Sequence, residues 1–353
     1  MRVLHVHKDF EPLGGGGGTA RHIHGLARAL SGLGCEVRVA APAPDRIETP
    51  YVSVPTPPSG LGAQIAWSDV VHVHGARSTY AALGAAISAM KRKPFFYTPH
   101  AYYAVKTARA VAAKRVWDRT AEHFMVTRGA GTVLLTEVWR DWYRSRGIPT
   151  ARTVIIPNCV LLEDLPSARV PGERLVGSPA ILSVGRLDPV KRLHDVITAL
   201  ADGALPRGHL HIVGKGNQRT DLAALAESLG VADRVTFHGF VDDAGVTRMI
   251  GGADVFVLAS EQEGLPTVLL EMLISRLPVV CSRIPGNLAI MDVARLQTTH
   301  AVGDVPALAR QLAAAPGSKV GDATVTALEA AFTWERRAAD ILALYTTGLR
   351  AAA

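Results

Sequence analysis

The residues best suited to chemistry in this chain lie between Ser260 and Glu271, where seven residues separate Glu263 from Glu271. Glu263 falls on a loop marked by Gly264 and Pro266, and Glu271 falls on the helix that is predicted to follow. Such a loop aims backbone N–H groups and the positive end of a helix dipole at an anion, while two carboxylates can accept hydrogen bonds from sugar hydroxyls. The stretch therefore predicts a site for a sugar joined to a phosphate.

Two cations form a second candidate group. In the stretch Gly185–Arg192, Arg186 directly follows a predicted strand and Lys191 lies near the start of the next helix. Arginine offers a planar fork for phosphate oxygens and lysine a point charge, so together they could stabilise the charge that builds on a departing nucleoside diphosphate. Surface charges beside a helix end would give the same pattern. Combined with Glu263 and Glu271, the two cations favour a binding site.

Strands and helices alternate along the whole chain. The first unit has a strand, a glycine-rich loop from Gly14 to Gly18, a helix from Ala20 to Leu33 and a second strand. This alternation predicts an α/β fold whose mostly parallel sheets are covered on both faces, with ligands at the carboxyl ends of the strands. The predicted strands are Val3–His7, Val37–Ala40, Asp69–Gly75, Phe95–Thr98, Val133–Thr136, Thr153–Asn158, Ala180–Arg186, His209–Gly216, Val235–Gly239, Val255–Leu258 and Val279–Cys281.

The length predicts two domains. At 353 residues the chain exceeds the size at which one hydrophobic core usually keeps growing. The stretch from Leu161 to Ser178 is rich in Pro, Gly and charge, as inter-domain linkers are. We therefore expect an N-terminal domain over residues 1–165 and a C-terminal domain over residues 175–335, facing each other across a cleft lined by strand-end loops.

Composition excludes several classes of protein. Apolar residues make up 48% and charged residues 20%, and no apolar run reaches the ~18 residues that a membrane span needs. Polar residues interrupt the first strand, so no secretory signal is predicted and we expect a cytoplasmic protein. The three cysteines, Cys35, Cys159 and Cys281, are too few and too scattered for a disulfide framework or a zinc knuckle.

Positive charge is concentrated in the N-terminal half. The net charge is +7, yet Lys and Arg exceed Asp and Glu by 10 within residues 1–160. Interleaved basic and apolar side chains there predict either an amphipathic face on an anionic membrane surface or a solvated helix face. Nucleic acid is not an expected partner, because no recognised binding module accompanies the charge. The residues concerned are Lys91, Arg92, Lys93, Lys106, Arg109, Lys114, Arg115 and Arg119, interleaved with Tyr102, Tyr103, Val105, Val111, Val116 and Trp117.

The combined motifs resemble the retaining glycosyltransferases of family GT4, which have the GT-B fold. The resemblance rests on Gly-Arg-Leu followed, after three intervening residues, by Lys191, then on Ser-x-x-Glu-Gly-x-Pro and a second Glu about seventy positions later. It spans nearly the whole chain and implies two Rossmann-like domains facing across a central cleft, with a C-terminal helix, about residues 336–353, that crosses back to the first domain. Lesser marks, in order, are Gly17-Gly18, Gly34–Val37, Asp69–His74, Thr98–His100, Pro157-Asn158, Gly214–Gly216 and His238–Phe240.

The resemblance also implies a role for each matching residue. Arg186 and Lys191 would bind the donor diphosphate. Glu263 would hold donor-sugar hydroxyls together with backbone N–H groups of the loop, and Glu271 would hold the ribose. His100 would contact the donor sugar or the phosphate. Gly17 and Gly18 would let the N-terminal loop approach the phosphate and the acceptor without a Cβ in the way. The other positions implied in donor binding are Gly185, Gly214, Gly216, Gly264, Leu265, Pro266 and Thr267.

As a reaction, the resemblance implies transfer of a hexose from a UDP- or GDP-sugar to a saccharide or lipid-linked acceptor, with retention at the anomeric carbon. The departing phosphate could itself take the acceptor proton, so the protein would mainly orient reactants and stabilise charge. No cofactor and no metal is implied, and Asp242-Asp243 is interpreted as a helix N-cap. Departures from the family pattern at Cys159, Ile284–Ala289 and Ala294–His300 leave the donor open.

Three alternatives compete with this interpretation. A dinucleotide-dependent oxidoreductase would fit the fingerprint Gly15-x-Gly17-x-x-Ala20, but these glycines begin about seven residues after the strand and the second strand carries no carboxylate for a ribose. A non-catalytic sugar-nucleotide-binding or membrane-scaffold protein would need a degenerate site, whereas the charged set is intact. A sugar-nucleotide epimerase would need further catalytic acids that the sequence does not identify.

Overall fold

The computed structural model describes residues 1–12, 17–44, 48–100, 102, 108–165 and 172–352. The chain divides into two compact units, and each is described by itself. Unit 1 contains Met1–Cys159 and Trp334–Ala353, and unit 2 contains Val160–Thr333. No helix among these described ranges is both long and apolar enough to cross a membrane.

Unit 1 is built on a seven-stranded parallel sheet in the order β3-β2-β1-β4-β5-β6-β7. The central strands β1 and β4 are almost wholly buried, as a parallel sheet covered on both faces requires. Strand β3 was not predicted, because it is a short edge strand that ends on a proline. The strands are β1 Arg2–Val6, β2 Glu36–Ala41, β3 Val52–Pro55, β4 Val70–His74, β5 Phe95–Thr98, β6 Gly131–Leu134 and β7 Thr153–Ile155.

Seven α-helices belong to the described part of unit 1. The last helix of the chain, α14, packs against α1, where Gly25 leaves room for the indole of the fully buried Trp334; a Cβ on Gly25 would lie 2.4 Å from that ring. A single π-helical turn, Asp118–Glu122, joins α4 to α5. The helices are α1 Gly17–Gly32, α2 Leu61–Trp67, α3 Thr79–Met90, α4 Ala108–Trp117, α5 His123–Arg128, α6 Glu137–Ser145 and α14 Trp334–Ala352.

Unit 2 is built on a six-stranded parallel sheet in the order β10-β9-β8-β11-β12-β13. Its core packs aliphatic side chains of β8, β9 and β11 against α7, α8 and α12. The two-residue strand β13 was not predicted. The strands are β8 Ala180–Val184, β9 His209–Val213, β10 Val235–Gly239, β11 Val255–Leu258, β12 Val279–Ser282 and β13 Thr299–His300; the helices are α7 Leu193–Leu200, α8 Arg219–Ser228, α9 Asp243–Gly252, α10 Thr267–Ile274, α11 Pro285–Ala294, α12 Val305–Ala314 and α13 Asp322–Phe332.

Both sheets reverse their strand order at one point. In unit 1 the chain runs from β1 outward to β3 and then returns to β4 on the other side of β1, and in unit 2 it runs from β8 to β10 and returns to β11 beside β8. At such a point the loops leaving two neighbouring strands diverge and leave a crevice outside the carboxyl ends. The predicted parallel α/β architecture is confirmed, and each unit has one such position for a ligand.

The glycine-rich loop is shorter than the sequence analysis predicted. Helix α1 begins at Gly17 rather than at Ala20, so Gly17 and Gly18 form its first turn. Gly17 has φ +77°, a conformation that glycine adopts without strain, which explains why a helix can start on this residue. Gly14 and Gly15 lie outside the described residues.

The basic segment is not one continuous amphipathic face. Lys91 and Lys93 lie in the turn after α3, where the Lys93 ammonium donates to the Ser68 carbonyl at 2.6 Å. Tyr102 is buried and its hydroxyl donates to Glu122, because an aromatic ring with one polar atom gains more in the interior than on a charged surface. Within α4, Arg115 is exposed and Val116 is 63% exposed. Tyr103, Val105 and Lys106 lie outside the described residues.

Candidate active site

The loop after β8 carries the predicted cations of unit 2. Residues Pro189–Lys191 form one 3-10 turn, and Arg192 follows in a left-handed conformation with φ 50°, which ends the turn and starts α7. The Lys191 Nζ donates to the Glu263 Oε1 at 2.6 Å. The structure thus brings together a cation and a carboxylate that lie 72 residues apart in the sequence.

Pairing between β8 and β11 explains this contact. The two strands run parallel, with Val255 opposite Ile181, so the loops that leave their carboxyl ends are neighbours. A backbone hydrogen bond from the Glu261 N–H to the Val190 carbonyl, at 2.9 Å, joins the two loops directly. The Lys191–Glu263 contact therefore lies at the point where the strand order of unit 2 reverses.

Burial makes this ion pair unlike an ordinary surface pair. The Glu263 side chain is 9% exposed and that of Lys191 is 20% exposed. An exposed pair is screened by water and contributes little, whereas removing one partner of a partly buried pair leaves the other charge poorly solvated. The Lys191–Glu263 pair is therefore a partly buried pair of opposite charges at the carboxyl ends of β8 and β11.

Arg186 faces the same pocket as Lys191. Both residues line a small open pocket at the carboxyl ends of β8, β9 and β11. The Arg186 side chain is 59% exposed and its guanidinium lies 3.2 Å from a carboxylate oxygen of Asp188. Because this side chain is long and solvated, the guanidinium is free to reorient toward an anion in the pocket.

Backbone packing behind the pocket leaves no room for side chains at two of the predicted glycines. A Cβ on Gly214, which has φ +132°, would lie 1.9 Å from the Gly185 carbonyl oxygen. A Cβ on Gly216 would lie 2.4 Å from the Leu187 carbonyl oxygen. Gly185 itself has φ +155° and lies against the Lys191 side chain. These glycines allow the loops after β8 and β9 to approach one another closely.

The loop that carries Glu263 leads directly into α10. Leu265, Pro266 and Thr267 are buried, and Pro266 precedes the first turn of the helix. Glu271 is half-buried and lies in the second turn of α10. From there its carboxylate could face the same ligand as the loop before the helix. The predicted contact of Glu271 with a ribose stays a prediction.

Gly286, at the start of α11, was not among the predicted site residues. A Cβ at this position would lie 2.7 Å from the Glu263 carbonyl oxygen and 3.0 Å from that of Gly264. Gly286 therefore sets how the Glu263 loop packs. Its place in the Pro-Gly dipeptide after Ile284 was the available signal, since glycine at the start of a helix often marks a close backbone approach.

In unit 1 the predicted residue His100 follows β5. It has φ +67° and is 8% exposed, and its Nε2 lies 3.2 Å from the Nδ1 of His74. Its predicted contact with the donor stays a prediction. Gly17 and Gly18 have no heavy atom within 4 Å of a Cβ, so open space adjoins the first turn of α1.

His100 belongs to a buried histidine cluster that the sequence analysis missed. The cluster, named here the His cluster, contains His5, His22, His72, His74 and His100, all at most 8% exposed. The signal for part of it was alternation: His72 and His74 share one face of β4, and His5 on β1 lies opposite His72.

Burial keeps these imidazoles neutral. Desolvation lowers the pKa of His5 to about 3 and that of His22 to about 4, and neighbouring histidines oppose protonation further. The pKa values of His72, His74 and His100 are held well below the usual range for the same reasons. At neutral pH the His cluster therefore carries no charge, and each ring has one N–H donor and one lone pair.

Two family models together match most of the chain. The model "Glycosyl transferase 4-like domain" matches residues 17–159, and "Glycosyl transferases group 1" matches residues 169–315. The chain belongs to the GT4-type glycosyltransferases. The dinucleotide fingerprint read from Gly15, Gly17 and Ala20 is therefore set aside.

Curated relatives of this GT4-type chain act in glycan and glycolipid synthesis. It is 36% identical to "Lipopolysaccharide core biosynthesis glycosyltransferase LpsE" of Rhizobium meliloti over 38% of this chain, and it spans 38% of that relative's length. It is 26% identical to "Phosphatidyl-myo-inositol mannosyltransferase" of Mycobacterium leprae over 84% of this chain and 83% of that relative.

Solved GT-B structures share the fold of this GT4-type chain. Sucrose-phosphate synthase of Thermosynechococcus elongatus matches with a TM-score of 0.78 at 19% identity, over 100% of each chain. Anabaena HepE, solved in complex with UDP and glucose, matches with a TM-score of 0.77 at 16% identity, over 98% of this chain and 100% of that chain. The predicted GT-B fold is confirmed.

Proposed function

We propose that this GT4-type chain transfers a hexose from a UDP- or GDP-sugar to a saccharide or lipid-linked acceptor, with retention at the anomeric carbon. One observation carries the proposal: the 2.6 Å contact between the Lys191 ammonium and the Glu263 carboxylate at the carboxyl ends of β8 and β11. The cation of such a site can bind the diphosphate of a nucleotide-sugar, and the carboxylate can bind the hydroxyls of its sugar.

The cations serve the diphosphate. Lys191 and Arg186 line one pocket, so both can contact the oxygens on which negative charge grows as the sugar departs. A positioned cation stabilises this charge more in the transition state than in the bound donor, which raises the rate of the chemical step. Removing one such contact typically slows a reaction by about 10²–10³-fold.

The carboxylates serve the hydroxyls. The Glu263 carboxylate accepts hydrogen bonds from hydroxyls of the donor sugar. The backbone N–H groups of Gly264 and Leu265, just before α10, donate to oxygens of the same sugar. Glu271, one turn into that helix, accepts from the ribose. Two carboxylates on a loop and the helix that follows it hold the sugar and the nucleoside in a fixed relation, which supplies orientation rather than acid–base chemistry.

Retention needs no strong protein base in this mechanism. The acceptor oxygen attacks the face from which the diphosphate leaves, and a phosphate oxygen of the leaving group takes the acceptor proton. The protein's charged residues bind and orient the reactants, so no metal and no cofactor is required for the step.

The relatives favour a surface-glycan or glycolipid acceptor. The name of LpsE refers to lipopolysaccharide core synthesis, and that of the mycobacterial relative to a phosphatidyl-inositol acceptor. The HepE structure holds UDP and glucose, which favours a UDP-sugar among the candidate donors. We propose that exposed side chains of α4, Arg115 and Val116 among them, let the protein rest on an anionic membrane that carries the acceptor.

The experiment that tests this function is a donor screen followed by a transfer assay. Thermal shift against UDP-, GDP-, ADP- and dTDP-sugars identifies the donor, and mass spectrometry follows transfer to lipid-extract acceptors. We expect one donor class to stabilise the protein and to be consumed only with acceptor present. Lys191→Ala should lose transfer, whereas Lys319→Ala, an exposed lysine elsewhere in unit 2, should keep it. Equal transfer by both variants would contradict the proposal.

A further inference from the structure

Three histidines of the His cluster point their nitrogens at one another. His22 on α1, His74 on β4 and His100 after β5 each offer one ring nitrogen, and these three nitrogens all lie within 4.8 Å of one another. The residues come from three separate elements, so the arrangement is a product of the tertiary fold. Its position, at the carboxyl end of β4, is the strand-order reversal of unit 1.

The tautomer of His22 follows from its neighbours. The Asn158 Oδ1 accepts a hydrogen bond from the Cys159 backbone N–H at 3.2 Å, which identifies that side-chain atom as the amide oxygen. The same oxygen lies 2.8 Å from the His22 Nδ1, so Nδ1 must carry the proton. The His22 Nε2 therefore carries a lone pair, and this buried atom has no hydrogen-bond partner in the described structure.

The spacing of the other two nitrogens suits a metal ion. The His74 Nδ1 and the His100 Nε2 are 3.2 Å apart, within hydrogen-bond distance, so an ion bound by both would replace the hydrogen bond between them. Two nitrogens bound to one tetrahedral Zn²⁺ at about 2.0–2.1 Å are separated by about 3.3 Å. The farthest pair of the three, at no more than 4.8 Å, would have to close by at most about 1.5 Å.

The ring nitrogens of His22 and His74 that would not bind the ion have the hydrogen-bond partners that are usual for metal-binding histidines. A ligating imidazole usually donates its other N–H to an oxygen or another acceptor, which fixes the ring and raises its basicity. His22 has Asn158 in this role, and the His74 Nε2 lies 2.9 Å from the His5 Nδ1. These contacts orient the rings of His22 and His74 before an ion binds.

A second triad, His5, His72 and His74, is less suitable. Both ring nitrogens of His72 already contact hydroxyls, with Nδ1 at 2.6 Å from the Tyr345 oxygen and Nε2 at 2.7 Å from the Thr98 Oγ1. A metal ion there would have to displace one of these hydrogen bonds. The His5 Nε2, like the His22 Nε2, has no hydrogen-bond partner among the described residues. The two contacts of His72 therefore decide between the triads, and they favour the triad of His22, His74 and His100.

We propose that His22, His74 and His100 form a binding site for one divalent transition-metal ion, with Zn²⁺ as the preferred ion and the fourth position left to water. The ligands are Nε2 of His22, Nδ1 of His74 and Nε2 of His100. The ion ties α1 to β4 and to the backbone after β5, and it holds the strained φ of His100 in place. Ligation through Nε2 leaves the other nitrogen of His100 for a ligand, so the site does not depend on the proposed donor chemistry.

The test is metal binding by protein purified without a polyhistidine tag. After treatment with a chelator, the protein is titrated with Co²⁺ while visible absorption is recorded, and Zn²⁺ is then added in competition. We expect one ion per chain, intense tetrahedral Co²⁺ bands and their loss on addition of one equivalent of Zn²⁺. Absence of stoichiometric binding by the wild-type chain would overturn the proposal.

Variants locate the ion. We expect His22→Gln to weaken Zn²⁺ binding more than 100-fold, and Asn158→Ala, which removes only the outer contact, to weaken it about 10–100-fold. His24→Gln is the matched control, because His24 is also buried on α1 but contacts the Tyr51 hydroxyl at 2.7 Å, outside the triad. Equal Zn²⁺ affinity of His22→Gln and His24→Gln would contradict the assignment.

One measurement does not depend on variants that fold. Histidine-ring ¹⁵N spectra of the wild-type protein distinguish a metal-bound nitrogen from a protonated or a free one. We expect Zn²⁺ to shift the His22 Nε2 resonance out of the range of a free lone pair while His24 stays unchanged. An unchanged His22 Nε2 resonance at saturating Zn²⁺ would overturn the proposal even if the protein bound zinc elsewhere.

Discussion

The two units have the same architecture yet carry opposite kinds of polar site at the same topological position. In unit 2, the loops after β8 and β11 present Lys191, Glu263 and the exposed Arg186, all charged. In unit 1, the carboxyl end of β4 presents buried and neutral imidazoles. The comparison shows that the strand-order reversal fixes the position of each polar site. Exposure to solvent then determines whether the side chains there are charged or neutral.

The largest expected effect concerns pH and separates the two units. Each histidine of the His cluster has a folded-state pKa below its ordinary value of 6.5, about 4 for His22 and about 3 for His5. Below pH 6.5 the unfolded chain therefore binds more protons, and the folded state loses about 1.4 kcal/mol per pH unit for each such group until the folded pKa is reached. With chelator present, hydrogen exchange should show unit 1 losing several kcal/mol between pH 6.5 and pH 4.

The control for the pH prediction lies in the other unit. Burial also lowers the pKa values of His209, His238 and His300 in unit 2. These are fewer groups than in the His cluster, and His209 and His238 are less deeply buried, so together they affect stability less. Unit 2 should lose less protection over the same pH range. Equal losses in the two units would show that the buried histidines do not set the difference.

Charge removal in unit 2 should give the next largest effect. Glu263→Gln and Lys191→Ala should each lower kcat/KM about 10²–10³-fold, since each removes a contact to the departing donor and leaves its partner unpaired. The measurement is steady-state transfer with the donor found by screening. Lys319→Ala should keep the wild-type value within a factor of two, and a wild-type rate for either site variant would refute its role.

Backbone packing behind the pocket should matter less than the charges. Gly214→Ala places a Cβ 1.9 Å from the Gly185 carbonyl oxygen, so the loops after β8 and β9 must separate. We expect a loss of about 1–3 kcal/mol in the free energy of unfolding, measured with urea, together with weaker donor binding. Gly203→Ala is the matched control, because nothing lies within 4 Å of its Cβ. Equal stability of the two variants would contradict the packing described.

The smallest expected effect tests the basic surface of unit 1. Arg115→Gln removes one exposed charge from α4 and should weaken sedimentation with anionic vesicles about fivefold, because one charge near such a surface contributes about 1 kcal/mol. Arg207→Gln removes an exposed arginine from unit 2 and should leave binding unchanged. If both variants sediment as the wild type does, α4 is a solvated helix face.

The sequence predicted the fold, and it placed Lys191 and Glu263 at the ends of strands, for a physical reason. Strand periodicity and turn residues are local, and the Lys191 and Glu263 motifs directly follow strands, so parallel alternation alone brings them to one edge of a sheet. The edge strand β3 was missed because it has only four residues and ends on Pro55. The start of α1 was placed three residues late, since five consecutive glycines give no helix signal.

The His cluster could not be predicted in full, because it depends on tertiary packing. Alternation places His72 and His74 on one face of β4, but nothing local brings His22 from α1 or His100 from beyond β5 to the same face. Tyr102 was placed on a basic surface for a similar reason: its burial against Glu122 involves a partner 20 residues away. Gly286, in the first turn of the helix after β12, packs against the Glu263 loop after β11, a contact that only the folded chain shows.

The central claim is that Lys191 and Glu263 act together on one bound donor, and a double-mutant cycle tests it most directly. Donor affinity and kcat/KM are measured for the wild type, Lys191→Ala, Glu263→Ala and the double variant. The account predicts strong non-additivity, with a coupling energy of at least about 1 kcal/mol, because the two side chains are in contact and share one ligand. Losses that simply add, with a coupling energy near zero, would mean that the two residues serve separate sites and would contradict the account.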